Sequence, residues 1–316
     1  MYIAGHTGLV GSALLRRFSG RSGVEILTAT RAELDLTRQE AVERFLSWHR
    51  PEMIVIAAGR VGGIRVNAAE PAAFMWENLL IQTHIIHAAW KAGVKRLLNF
   101  GSACMYPREC PQPMRPEQLM TGPLEPTNHP YAVAKLAGWT LCEAYNRQYG
   151  TDFVTAIPAA VYGPGDSFDA DRAHVIPALM RKMDRAKARG EASLTLWGSG
   201  RPKREFLYVD DLAQACELIM NQKGLGGVWN IGPGRSHSIA EIAQAISEAV
   251  GYTGSIQWDS SQPDGAPEKR LEVQAIGRLG WSARTPLKAG IEQTYRWFKA
   301  QGFSLVLEKE SSCISS

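Results

Sequence analysis

The chain has 316 residues, of which 45% are hydrophobic and 21% charged, with a formal net charge of +4. That is ordinary globular composition, long enough for one large or two modest domains, and with no apolar run of about 18 residues a membrane partner is not expected. The basic residues are scattered apart from RKMDRAKARG (181–190) and RPKRE (201–205), which is too little for nucleic acid and suits an anionic small molecule.

Strand-like and helix-like stretches alternate through the first half. MYIAG opens as a strand, with no basic leader ahead of it, so no secretory signal is expected and a trimmed start is. A helix over 10–18 follows, then a strand at VEILTAT (24–30) and a helix at 38–50. MIVIAAG (53–59) is an apolar run of strand length, and 71–93 a long helix, apolar on much of its circumference. RLLNFGSA (96–103), a second long helix over 131–150 and the strand DFVTAIPAAVYG (152–163) close the series. Apolar strands alternating with helices imply an α/β fold, a Rossmann-type doubly wound parallel sheet covered on both faces. The second half is less regular, with helices expected at 173–190 and 238–251 and short strands at LTLWG and VWNIG. We therefore expect a nucleotide-binding domain over 1–162, with segments around 198–225 packing back on it. A smaller mixed α/β substrate domain is expected over 163–305, and a frayed tail over 306–316.

IAGHTGLVGSALL places Gly5, Gly8 and Gly11 between the first strand and its helix. That spacing lets backbone N–H groups approach a pyrophosphate at the positive helix end. Alone a glycine triplet is a weak signal and could be an ordinary tight turn; after the first strand of an alternating chain it is strong. The second strand ends TATRAELDL, with Arg31 where an acidic residue would meet a free ribose hydroxyl. A guanidinium favours a 2′-phosphate, so NADPH/NADP+ is preferred over NAD, with Asp35 at the adenine edge. The alternative is that Arg31 points to solvent and Glu33 or Asp35 takes the ribose.

Tyr131 and Lys135 lie four apart and share one helix face. Unperturbed, their pKa values of about 10 and 10.4 make neither useful alone; a neighbouring ammonium is expected to lower the phenol. Ser102 follows a strand at the sheet's C-terminal edge, where its hydroxyl could hold a carbonyl oxygen that Tyr131 protonates. The glycine loop, Ser102 and the Tyr131/Lys135 pair together resemble the extended short-chain dehydrogenase/reductase superfamily, as do AAG at 57–59, Asn78 and PAAVYGP at 158–164.

After the serine the chain reads GSACMYP, lacking the Asp-Glu pair of a 4,6-dehydratase. Cys104 would face the pocket of Ser102 and Tyr131, and His174 precedes a helix in the second half. A thiol and an imidazole reaching a ketone from opposite sides suit paired proton transfer at the acidified neighbouring carbons, given a nearby cation to bring the thiol to the neutral range. With AGHTGLVGSA, VGGI, LEPTNHPYAVAKLAG, LWGSGRPKREFLYVDD and SQPDGAP, the chain resembles the GDP-L-fucose synthase family of GDP-4-keto-6-deoxy-D-mannose 3,5-epimerase-4-reductases over residues 1 to about 300.

That resemblance implies Cys104 as base, His174 as acid, and Ser102, Tyr131 and Lys135 as the reductase group. It implies cofactor contacts from Gly5, His6, Thr7, Gly8, Leu9, Val10 and Gly11, from Arg31, Asp35 and Leu36, and from Ala57, Ala58, Gly59, Gly101, Pro158 and Val161, with Ser102, Tyr131, Lys135 and His174 shared. It implies GDP-sugar contacts from Asn78, Lys182, Trp197, Arg204, Asp264 and Lys269. Ala103, Ala159, Ala160 and Thr7 depart from the family pattern, removing polar contacts near the nicotinamide, sugar or 2′-phosphate. A homodimer through the two long helices is expected, with Ile85, Ala89, Trp139 and Ala144 on the contact, unless those faces are buried within the monomer. The five cysteines (Cys104, Cys110, Cys142, Cys216 and Cys313) show no zinc or redox spacing, so no metal is expected and a reducing cytoplasm fits. The alternatives are a related GDP-sugar epimerase-reductase such as a GDP-colitose synthase, and a non-catalytic NADP-binding regulator.

Overall fold

Along the strands of the first half, successive side chains bury on opposite sides. Ile3, Val55, Leu98 and Val154 pack into one cluster, and Tyr2, Ala4, Ile54, Ile56, Leu97 and Phe153 into another. That is the period-two pattern of a sheet covered on both faces. The computed structural model describes residues 1–170, 172–261 and 264–302. The expected tail, the end of the second domain (303–305) and Cys313 lie outside the described residues.

In chain order the elements of the first half are β1 (Tyr2–Ala4), α1 (Leu9–Phe18), α2 (Gln39–His49), β2 (Met53–Ile56), α3 (Ile64–Ala69), α4 (Pro71–Lys91), β3 (Arg96–Phe100), α5 (His129–Tyr149), β4 (Asp152–Pro158) and β5 (Ala160–Tyr162). They are followed by α6 (Val175–Ala188), β6 (Ser193–Trp197), β7 (Lys203–Arg204), β8 (Phe206–Tyr208), α7 (Val209–Asn221), β9 (Val228–Ile231), β10 (His237–Ser238), α8 (Ile239–Val250), β11 (Ser255–Asp259), β12 (Glu268–Lys269), α9 (Gln274–Arg278) and α10 (Leu287–Ala300). The main sheet runs β1-β2-β3-β4-β9 with every neighbouring pair parallel. α1 and α7 supply Leu14, Phe18, Leu212 and Ile219 to the cluster on one face. α2 and α4 supply Val42, Leu46, Ile85 and Ala89 to the other.

Two expected strands are corrected. The 24–30 segment forms no strand: it bridges β1 at Leu27 alone, with Ile3 N–H donating to Leu27 O (3.0 Å) and Leu27 N–H to Met1 O (2.8 Å). Beyond Leu27 the backbone is drawn into a turn, where Thr30 N–H donates to the Glu33 carboxylate at 2.7 Å and Leu34 N–H to Thr30 O at 2.9 Å. The 152–163 run is two strands. Ala159 N–H donates to Ile231 O (2.8 Å) and Ala160 N–H to Glu205 O (3.2 Å), so the chain leaves the β9 ladder for that of β8.

The second half crosses between layers. VWNIG, read as a strand of the irregular half, supplies the edge strand β9 of the main sheet. Leu207, within 198–225, packs in the first-sheet cluster, and so do Ile231, Leu271, Ile276 and Trp281 from further along the chain. A separate cluster joins α6, α8, α10 and β6 through Ile176, Met180, Leu196, Ile246 and Phe298, with Ile256 of β11 packed against it. α8 is closed at its start by a reciprocal cap: Ser238 Oγ accepts from Glu241 N–H (3.1 Å) and Ser238 N–H donates to the Glu241 carboxylate (2.7 Å).

Glu205 ties these layers together. Its buried carboxylate accepts from Gly234 N–H (2.6 Å) and Leu271 N–H (2.8 Å). Glu205→Ala leaves two inward-facing donors without acceptors and is expected to lower unfolding free energy by about 2–4 kcal/mol in a denaturant titration; an unchanged midpoint would contradict this role.

Candidate active site

The glycine loop meets its neighbours backbone to backbone. Gly5 takes φ +83°, and a Cβ there would lie 2.6 Å from the Ala58 backbone. A Cβ on Gly11 would lie 2.0 Å from Gly5 O. α1 therefore starts directly on the turn. Gly8 caps it without a side chain, so its first N–H groups keep their capacity to bind an anion.

Three acidic residues follow the Leu27 bridge or line the adjoining wall, and each is engaged. Glu33 accepts from Thr30 N–H and Oγ1–H (2.7 and 2.8 Å). Asp35 Oδ1 accepts from Thr37 N–H and Oγ1–H (3.0 and 2.7 Å). Glu77 pairs with Arg60 at 2.7 Å. Arg31 keeps its side chain 75% exposed, with only a long 3.8 Å approach to Glu77. An accessible guanidinium beside acids that are already occupied is open to an anion arriving from solvent. His84 Nδ1 lies 3.2 Å from Leu36 O, tying α4 to the same wall.

Ser102, Tyr131 and Lys135, the expected reductase group, gather at the C-terminal edge of β3. Ser102 caps a short turn over Ala103–Met105; its Oγ accepts from Cys104 N–H (3.4 Å) and from the Cys104 thiol (3.1 Å). Pro130 sits in the first turn of α5, fixing the start from which Tyr131 and Lys135 project one turn apart. Lys135 Nζ lies 5.8 Å from the Tyr131 ring centroid, and 3.8 Å from where a Cβ on Gly59 would be. The ammonium thus borders both the phenol and the Ala57–Gly59 wall. Lys135 is 4% exposed, and no described residue supplies it with a carboxylate or hydrogen-bond acceptor. A buried cation without a partner fits a dinucleotide whose ribose hydroxyls would lie there.

The electrostatics differ from expectation in one respect. Burial pushes the Tyr131 phenol well up, with Cys104 adding to the rise and the Ser102 hydrogen bond opposing it. Burial works on Lys135 too, pulling it down to about 8, so at neutral pH it remains an ammonium one helix turn from the phenol. Cys104 is likewise raised by burial, against the Ser102 hydrogen bond and the positive charges of Lys269 and Lys135. Cations do flank the thiol as expected, but desolvation outweighs them.

His174 caps α6 with its backbone: Ala178 N–H donates to His174 O at 2.9 Å. Its residue surface is open to solvent while its imidazole is desolvated enough to lower its pKa. It makes no hydrogen bond to Cys104, Ser102 or Tyr131 among the described residues. It stands one residue past the stretch that meets the VGGI loop, where Gly63 N–H donates to Arg172 O at 3.3 Å. Pro158 and Val161 are half-buried at the β4–β5 break.

The expected nucleotide-sugar contacts divide. Trp197 is 58% exposed at the end of β6, and Lys182 Nζ donates to Thr195 O on the same strand (3.0 Å). Arg204 and Lys269 are paired neighbours on β7 and β12. Arg204 donates to Lys203 O and Ala266 O, each at 2.7 Å, and its pKa is lowered by burial. Asp264 and Asn78 are engaged within the protein itself. The Asp264 carboxylate spans Ser199 N–H (2.9 Å) and Oγ–H (2.6 Å). Asn78 Nδ2 donates to Arg60 O and Phe74 O (2.9 and 2.7 Å). Lys269 acquires a further relation not read from the sequence, its charge acting on the Cys104 thiol. Arg65 passed unnoticed in the sequence: its guanidinium lies 4.4 Å over the Trp197 ring, and a lone arginine after VGGI carries no periodic or spacing signal. The cavity lined by Arg17, Glu217, Trp281 and Arg284 contains none of these side chains.

A main parallel sheet with a glycine turn at its first strand and a Ser/Tyr/Lys group at its edge defines a nucleotide-dependent enzyme fold, and the chain belongs to the NAD dependent epimerase/dehydratase family, whose model matches residues 1–232. It is 45% identical over 299 residues to GDP-L-fucose synthase 1 of Arabidopsis thaliana, covering 94% of this chain and 92% of that one. It is 44% identical over 307 residues to the GDP-L-fucose synthase of Escherichia coli (strain K12), covering 94% and 96%. Within the family it falls among the GDP-L-fucose synthases. A solved GDP-L-fucose synthetase from Naegleria fowleri bound to NADP superposes with a TM-score of 0.86 at 27% identity, covering 95% of this chain and 94% of that one. The family is nicotinamide-dependent, and the glycine turn and the unpartnered Lys135 fit such a cofactor.

Proposed function

We propose that this enzyme converts GDP-4-keto-6-deoxy-D-mannose to GDP-L-fucose, inverting carbons 3 and 5 and reducing carbon 4. The observation that carries the reading is the Cys104 thiol hydrogen-bonded to Ser102 Oγ at 3.1 Å, beside the Tyr131/Lys135 pair. A single ketone held by Ser102 then has a base next to its acidified carbons and an acid next to its oxygen. Cys104 takes a proton from carbon 3 or 5, leaving an enolate whose oxygen Ser102 and Tyr131 hold by hydrogen bonds. His174 returns a proton to the opposite face, which inverts the centre. When bound, the dihydronicotinamide supplies hydride to carbon 4. Tyr131 gives its phenolic proton to the oxygen, and the Lys135 ammonium stabilises the phenolate left behind. Trp197, Arg204 and Lys182 serve the nucleotide: an indole for a ring face and cations for the diphosphate.

Product identification by NMR tests the reading. GDP-L-fucose should accumulate from the 4-keto substrate and NADPH; a product reduced at carbon 4 with carbons 3 and 5 unchanged would overturn it, and a different GDP-sugar accepted in preference would redirect it to a colitose-type relative.

NADPH is the cofactor on this reading, with Arg31 as the 2′-phosphate contact. Arg31→Ala should raise KM for NADPH about tenfold and leave that for NADH unchanged, as loss of one charge-assisted contact implies. Equal effects on both would remove Arg31 from the site. No helix among the described residues is long and apolar enough to cross a membrane, and the cytoplasm suits four free thiols, Cys104, Cys110, Cys142 and Cys216. A homodimer through α4 and α5 remains the proposed assembly, on changed residues. Ile85 and Ala89 are fully buried inside the subunit, whereas Trp139 and Ala144 are half-buried, so of these four only the latter pair could reach a partner. Trp76 and Tyr149, 63% and 40% exposed on the same helices, stand in place of the buried pair.

A further inference from the structure

α3 and the loop before it reach across the cleft from the cofactor side to the substrate side. The loop is fixed at its base, where Asn67 Nδ2 donates to Gly62 O (2.8 Å) and Gly63 O (3.1 Å). It is fixed at its tip by the Gly63 N–H bond to Arg172 O. From this clamped turn Arg65 extends over the indole of Trp197, its guanidinium carbon 4.4 Å from the ring centroid. No carboxylate pairs with Arg65 among the described residues, whereas neighbouring Arg60 is engaged by both Glu70 and Glu77. Val61 and Ile64, 55% and 66% exposed, flank it. A cation with no counter-charge, held in place only by an aromatic face, is available to an anion arriving at that face.

Resting on the reading that the nucleotide lies along Trp197 and Arg204, we propose that Arg65 is a further substrate-contacting residue. It supplies a positive charge to the nucleoside diphosphate from the opposite wall to Arg204 and Lys182. The cofactor domain thereby contributes to substrate affinity, and the bound nucleotide links α3 to β6.

The test is calorimetric titration of GDP into the full-length enzyme saturated with NADP+, comparing the native protein with Arg65→Ala, Arg65→Lys and Trp197→Ala. Arg65→Ala should weaken GDP about five- to tenfold, by the scale of a partly desolvated cation contact. Arg65→Lys should recover part of the loss, because it keeps the charge and loses the planar fork. The difference between native and Arg65→Ala should shrink as salt rises, which a purely structural role would not produce. KM for NADPH should stay unchanged, reporting an intact fold. GDP affinity in Arg65→Ala equal to or tighter than native overturns the proposal while Trp197→Ala still weakens binding. If Trp197→Ala also leaves GDP binding unaltered, the nucleotide site itself has been misplaced and the assignment falls with it.

Discussion

Cys104→Ser should lose deuterium uptake from heavy water at carbons 3 and 5 of the keto sugar by about 10²- to 10⁴-fold, the usual contribution of a positioned base. Serine keeps the size and the hydrogen bond to Ser102, but its hydroxyl does not ionise in the relevant range. The fold should survive, since residue 104 makes its backbone contact with Ser102 Oγ through N–H. NADPH oxidation with a 4-keto sugar that needs no epimerisation should persist, because Tyr131 and Lys135 are untouched. The pH dependence follows from burial. The thiol is raised above its ordinary range, so the thiolate fraction is small at neutral pH and grows as pH increases. Exchange in the native enzyme should therefore rise with pH above neutrality. A flat profile, or native exchange in the serine variant, would transfer the base role to another group.

Lys135→Met should separate stability from activity. An unfolded lysine holds its proton to about pH 10.4, whereas folded Lys135 releases it near 8. Between these values the unfolded state binds more protons, so stability contributed at this site rises with pH across that window. Below pH 8 the folded protein carries the whole cost of an unpartnered buried ammonium, on the order of 3 kcal/mol. Methionine keeps the stem and removes the charge. Melting measured without added cofactor should rise by several degrees at pH 7, and that advantage should fade as pH approaches 10.5. Over the same comparison, 4-reduction should fall by about a hundredfold or more, because the phenolate of Tyr131 loses its cation. A native-like melting temperature at pH 7 would show that the ammonium is solvated, and with it the pairing with the phenol would lose its basis.

Much of this was legible from the chain alone because the relevant signals are local. The spacing of Gly5, Gly8 and Gly11 is a property of one turn, and Tyr131 and Lys135 share a face through helix geometry whatever the rest of the molecule does. The apolar run at 53–56 and the mostly apolar 96–100 are buried almost throughout and read as strands without reference to neighbours. The 24–30 segment misled because strand propensity cannot distinguish a full ladder from a single bridge at a sheet edge, where the turn at Thr30 competes for the same backbone.

What the amino-acid order determined by itself was the class of fold, the glycine loop and the candidate reacting side chains, the first two from periodicity and a short motif and the last with the help of a family resemblance. Tertiary structure alone decided the protonation balance and the distant contacts. The pKa values of Cys104, Tyr131 and Lys135 depend on how completely the folded pocket excludes water, and desolvation has no sequence signature. Arg65 meets Trp197, and Glu205 meets Gly234 and Leu271, only because the chain passes between its layers more than once. Such pairs are set by topology, which separates neighbours in space from neighbours in sequence.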